Sequence, residues 1–438
     1  MIRSSLRVVC LSIGWLVFVV TPWALADNDD PIQKQIAELN NVKGNQEAVR
    51  KKARELLKDR GAAAKLVKEA GERAKLDSKQ FKYNAAHTLA LVAYELQQYD
   101  VAARFFRICE EQGWALKSRA KIAEGFEGQF GVYARQKKWD EAEELARRVL
   151  EKVETQGEDD EEIRLLRPVI GEQLVISLSR QGKVEQALRI VNQLIEDYSP
   201  KAFFLEVKAR VLQDAGRTEE AIKTLNEAIA EMESAERVNE SVKETFVNRM
   251  RYLLSNAYIE VEQVEKAAEQ LQILLKKFPD NPGFNNDLGY IWADHDMNLD
   301  EAEKLIRKAI ELERKNREEL RKSGDLLPEY DHDNAAYLDS LGWVLFKKKK
   351  YEEAKQPLLE AIKLRDGEHL EIMDHLADVH MALGEKAEAI AIWKRALELD
   401  ATSRRDLKRR EEIVKKLKAA EGKSTPSAGK DKDQPKDK

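Results

Sequence analysis

LEIMDHLADVHMALGEKAEAIAIWKRALELDATS, residues Leu370 to Ser403, decides the fold. Counted from Leu370, the side chains Met373, Leu376, Ala377 and His380 stand at positions 4, 7, 8 and 11. Gly384 follows at 15, then Ala389, Trp393 and Ala396 at 20, 24 and 27. At about 100° per residue, positions 4, 7, 8 and 11 share one face of a helix. Gly384 interrupts the pattern and a second run restarts it, so the stretch reads as two helices joined by a tight turn. Small residues at 8 and 20 let the two helices approach closely. Larger residues at 4, 7, 11 and 24 fill the space between one unit and the next.

The same frame recurs upstream. Units starting at Ala335, Pro282, Asn248, Ala202, Pro168, Ala123 and Tyr83 supply, among others, Leu341 and Ala354, Leu288 and Ala302, Leu254 and Ala267, Leu212 and Ala221, Leu178 and Ala187, Phe126 and Ala142, and Ala90 and Ala102. This pattern resembles the tetratricopeptide repeat, and the resemblance runs from residue 83 to residue 403. It implies an all-α chain: a right-handed α-solenoid of about eight helix-turn-helix units. The position-8 glycine occurs only as Gly289 and Gly342, and the closing proline is mostly missing, which leaves local boundaries open. The segment from Asn286 to Ala361, with Asn286-Asp287-Leu288-Gly289-Tyr290 and Tyr337-Leu338-Asp339-Ser340-Leu341-Gly342-Trp343, is similar to exported bacterial members of the family, which implies scaffold or adaptor work at the cell envelope.

Composition agrees with a long helical array. Of 438 residues, 43% are hydrophobic and 35% charged, with only ten prolines. The net charge of -5 gives no reason to expect nucleic acid as partner. Arg3 and Arg7 precede an apolar run from Val8 to Val20, and Ala24-Leu25-Ala26 is a small-x-small cleavage site. Residues 1–26 therefore read as a secretory signal peptide, with an uncleaved membrane tether as the alternative. Its removal leaves Cys109 alone, on an apolar stripe, and excludes an intramolecular disulfide. Residues 27–82 read as a linker and a helical cap or degenerate repeat, 317–334 as an insertion between units, 404–420 as a charged capping helix, and 421–438 as a disordered tail.

No catalytic signature or cofactor motif appears, so the chain reads as a non-enzyme. Asp294-His295-Asp296 and Asp331-His332-Asp333 carry the residue types of a divalent-cation site. Adjacent residues point apart, however, and the first string falls in a turn, so no metal is assigned. A metal-dependent enzyme subunit, with a site near His295 and His332, is the lesser alternative. The binding face is the stronger candidate. Positions 2, 5, 9 and 12 lie on a different side of the first helix from the core positions. The family resemblance implies that this side lines a concave groove for peptides or partner helices. Three successive units place Tyr252 and Asn256, Asn286 and Tyr290, and Asp339, Trp343 and Phe346 there. Asparagine can pair with both the donor and the acceptor of a peptide backbone. Trp343 is the expected exposed anchor, because large rigid aromatics dominate interface energetics.

Overall fold

The structure is a computed structural model that describes Leu39 and residues 46–76, 82–157, 159–327, 330–364, 367–401 and 404–422. The signal-like segment 1–26 and residues 423–438 lie outside the described residues. No strand occurs among the described residues. The fold is an α-solenoid, and the chain divides into two compact units, Met1–Ile190 and Val191–Lys438.

The first unit holds α1 (Gln46–Leu56), α2 (Arg60–Leu76), α3 (Tyr83–Glu95), α4 (Tyr99–Ala115), α5 (Arg119–Arg135), α6 (Trp139–Gln156), the short α7 (Glu161–Arg164) and α8 (Arg167–Arg180). The division between units falls within α9 (Val184–Asp197). Leu57, Leu66, Leu89, Phe105, Phe106 and Cys109 share one core cluster. Cys109 is free and fully buried, and burial followed by the Glu124 charge pushes its thiol pKa well up. Helices α4 and α5 touch through glycine. A Cβ added at Gly125 would stand 2.4 Å from the Glu110 backbone nitrogen.

The second unit holds α10 (Ala202–Asp214), α11 (Thr218–Ser234), α12 (Glu240–Glu260), α13 (Val264–Lys277), α14 (Pro282–Asp294), α15 (Leu299–Ser323), α16 (Ala335–Lys347), α17 (Tyr351–Ala361), α18 (Leu370–Ala382), α19 (Lys386–Ala396) and α20 (Arg404–Gly422). Asn281 and Asn334 start α14 and α16 by accepting from Phe284 N and from Ala336 N and Tyr337 N. Helix α15 runs on to Ser323, and the chain then folds back along it: Arg321 bonds Asp331, and Arg314 and Arg317 both bond Asp333.

One backbone device repeats through the chain. Position 15 of all eight units is left-handed: Gln97, Lys137, Gly182, Gly216, Glu262, Asp296, Lys349 and Gly384 have φ between 55° and 81°. The next residue's N–H donates to the position-11 carbonyl each time, as Gln98 N does to Ala93 O at 2.8 Å and Glu385 N to His380 O at 2.9 Å. This is the helix C-terminal motif that reverses a chain after αL. Glycine fills it only three times, so sequence punctuation marks fewer turns than exist. The unit with an extra turn residue adds a second αL position at Asn298.

Candidate functional site: the first-helix face

The seven residues assigned to a groove come from α12, α14 and α16. Tyr252 is partly buried, and its hydroxyl donates to Asp287 Oδ2 at 2.9 Å while its ring packs 5.7 Å from Phe284. Burial, then the Asp287 charge, pushes its pKa up to about 12. Asn256, one turn on, hydrogen-bonds Tyr252 and is exposed. Asn286 is buried; its Nδ2 reaches Asp287 Oδ1 at 3.3 Å, and its Oδ1 has no hydrogen-bond partner among the described residues. Tyr290 donates its hydroxyl to Glu371 Oε1 at 2.8 Å.

Trp343 is 8% exposed. Its Nε1 donates to Asp294 Oδ1 at 2.9 Å. Its ring stacks on Phe346 at 5.0 Å and on His375 at 4.0 Å. His375 is wholly buried and shares a 2.9 Å hydrogen bond between its Nδ1 and Asp339 Oδ1, while its Nε2 has no partner among the described residues. Burial alone would lower the His375 pKa, but Asp339 outweighs it and holds the pKa above the ordinary histidine value. Phe346 is partly buried and continues the stack to Tyr351 at 5.4 Å.

The expected exposure of this face is therefore corrected for Asn286, Asp339 and Trp343, which are buried. The physical reason is the close approach of successive first helices. A position-9 side chain, Tyr290, bonds a position-2 side chain, Glu371, two units further along. Between them the Trp343 ring of α16 is covered. Tyr252 and Asn256 remain the accessible end of the row.

The two Asp-His-Asp strings are engaged otherwise. Asp294 accepts from Trp343, and Asp296 pairs with Lys347 at 2.7 Å. Asp331 and Asp333 are held by the arginines of α15, and His332 Nδ1 lies 2.9 Å from Asp333 O. His295 Nδ1 meets Ile291 O at 2.9 Å. Among the described residues, no group of three or more His, Cys, Asp or Glu side chains is placed to hold a metal ion.

Sequence reasoning missed a set of acids in the last unit. Glu371, Asp374 and Asp378 stand at positions 2, 5 and 9, so the same arithmetic that selected Tyr252 and Trp343 reaches them. Asp374 is fully buried and accepts from Trp393 Nε1 at 2.9 Å.

The tetratricopeptide repeat family matches residues 173–235, 252–316 and 340–404. The chain carries tetratricopeptide repeats. It is 26% identical over 204 residues to a TPR repeat-containing protein of Pseudomonas aeruginosa, an alignment covering 46% of this chain and 29% of that protein. The match thus spans under a third of that relative's length. Among solved structures, a tetratricopeptide repeat protein from Parabacteroides merdae is 14% identical, with a TM-score of 0.46, covering 66% of this chain and 98% of that one. A thermophilic TPR protein in Thermus thermophilus is 19% identical, with a TM-score of 0.35, covering 49% of this chain and 98% of that one.

Proposed function

We propose that this tetratricopeptide repeat protein is a non-catalytic scaffold that works outside the cytoplasm and takes a segment of a partner protein on its first-helix face. Binding other proteins is the general work of such repeats. The observation that carries the more specific reading is the polar and aromatic row on α12, α14 and α16, with Tyr252 and Asn256 accessible at one end. An exposed asparagine beside a half-covered tyrosine offers a peptide backbone both donor and acceptor and a rigid contact surface. Export is supported by Arg3, Arg7, the apolar run to Val20 and Ala24-Leu25-Ala26.

Photo-crosslinking tests the face. A crosslinker at Asn256 should trap partner protein in an envelope extract, while one at exposed Gln272 on α13 should not. Tyr252→Ala should diminish the Asn256 adducts. Equal adducts from both positions, or none from Asn256, would remove the reading. Mass analysis of the mature N-terminus distinguishes cleavage after Ala26 from a retained membrane tether.

A further inference from the structure

The acid row of the last unit is already occupied. Helix α20 lies along it with one face. Arg405 donates to Glu371 Oε1 at 2.6 Å and its guanidinium sits 5.9 Å from the Tyr290 ring centre. Arg409 donates to Glu371 at 2.9 Å and to Asp374 at 3.2 Å. Lys416 donates to Asp374 at 2.9 Å and to Asp378 at 2.6 Å. Among them Ile413 is fully buried in a cluster with Leu370, Met373 and Trp393. Positions 405, 409, 413 and 416 are i, i+4, i+8 and i+11, which is a single helix face.

A helix that only closed the end of a stack would need apolar side chains over the last pair. Ile413 and Ala420 do that. Three cations on three carboxylates are not required for it, and neither is the reach of Arg405 to Tyr290, which belongs to a unit two places earlier. Glu371, Asp374 and Asp378 occupy the same positions in the frame as the proposed partner face. Lys416 reaches both Asp374 and Asp378, although burial and the adjacent Asp374 still push the Asp378 pKa up. The cover is itself partly solvated: the side chains of Arg405 and Lys416 are 65% and 32% exposed. The outer Arg405–Glu371 pair contributes little and weakens with salt, whereas the pairs that Arg409 and Lys416 make with buried Asp374 are screened less.

We propose, resting on the first-helix face as the partner surface, that α20 is an internal occupant of that face, and that the partner displacing it is an amphipathic helix with cations at i, i+4 and i+11 around an aliphatic residue at i+8. The chain thus carries both the acidic site and a basic strap that competes for it.

A labelled peptide with the sequence of residues 404–422 is the probe, titrated by fluorescence anisotropy into the full chain. In Arg405→Glu/Arg409→Glu the strap loses its arginine pairs with Glu371 and Asp374 and keeps only those of Lys416. A chain ending at residue 403 is the second released form. The peptide should bind both released forms about tenfold or more tighter than wild type, because an occupied site has its dissociation constant divided by the open fraction. Adding Glu371→Lys should abolish the gain, and raised salt should weaken it. A peptide of the same composition with its charges out of phase should not bind. Equal affinity for wild type and released forms would overturn the proposal. So would no binding to released forms whose residues 370–396 stay protected in hydrogen exchange. Loss of that protection in both released forms would make α20 a structural cap only, which also overturns it. Failure of the face itself is read separately, as loss of the Asn256 adducts; a misassigned strap leaves those adducts unchanged.

Discussion

The indole Nε1–H of Trp343 donates to Asp294 Oδ1 at 2.9 Å, tying the middle of α16 to the last residue of α14. That bond makes Trp343 a joint between units. Trp343→Ala removes the bond, the stacks on Phe346 and His375, and nearly all of a buried side chain. Truncating a buried aromatic costs about 3–5 kcal/mol. Denaturant melts should show that loss, concentrated in residues 282–400 because solenoid contacts are local. A melt unchanged from wild type would mean that the ring is solvent-exposed.

Two glycines of α5 should respond in opposite directions. A Cβ at Gly125 meets the backbone of Glu110, which cannot move without shifting α4, so Gly125→Ala should destabilise by about 1–3 kcal/mol. Among the described residues, a Cβ at Gly131 meets nothing within 4 Å. Gly131→Ala should therefore stabilise by about 0.5–1 kcal/mol through helix propensity. Thermal melts of the two variants moving in the same direction would contradict the packing of α4 on α5.

Lys349 is exposed and holds the position-15 turn at φ 62°. The αL conformation costs a side chain about 1–2 kcal/mol that glycine is spared. Glycine's greater freedom in the unfolded chain offsets part of this, so Lys349→Gly should gain roughly 0.5–1 kcal/mol. Turns already filled by glycine, such as the one at Gly384, have no such strain to relieve. A lowered melting temperature for Lys349→Gly would show that the turn is not strained.

His375 gives the seam between α16 and α18 a pH dependence. It faces Asp339 on α16 and Tyr290 on α14, with Glu371 on its own helix and Arg409 on α20. Its folded pKa lies above the ordinary value. The stability it contributes is thus complete below the unfolded pKa and is lost as pH rises through the folded one. Hydrogen exchange across residues 335–382 should be slower at about pH 6 than at about pH 8.5, after correction for intrinsic rates. His375→Gln should remove that difference. Its persistence in the variant would place the titrating group elsewhere.

The eight-fold recurrence of small residues, and of a turn between each pair of helices, was legible in the sequence because both are local. Helical phase repeats every 3.6 residues, and Ala354 or Ala389 marks a close crossing wherever it stands in the frame. The same phase set Tyr252, Asn256 and Trp343 apart from positions 4, 7, 8 and 11 of their own helices. It could not say what lies across from them. Whether a first-helix side chain is open depends on how closely neighbouring units approach, and that is set by packing between residues far apart in sequence. Tyr290 and Glu371 are 81 residues apart, and Arg405 and Tyr290 are 115 apart. Only the tertiary structure brings them together. It therefore decided that Trp343 is covered, that Asn256 is open, and that the basic face of α20 lies on the acids of α18.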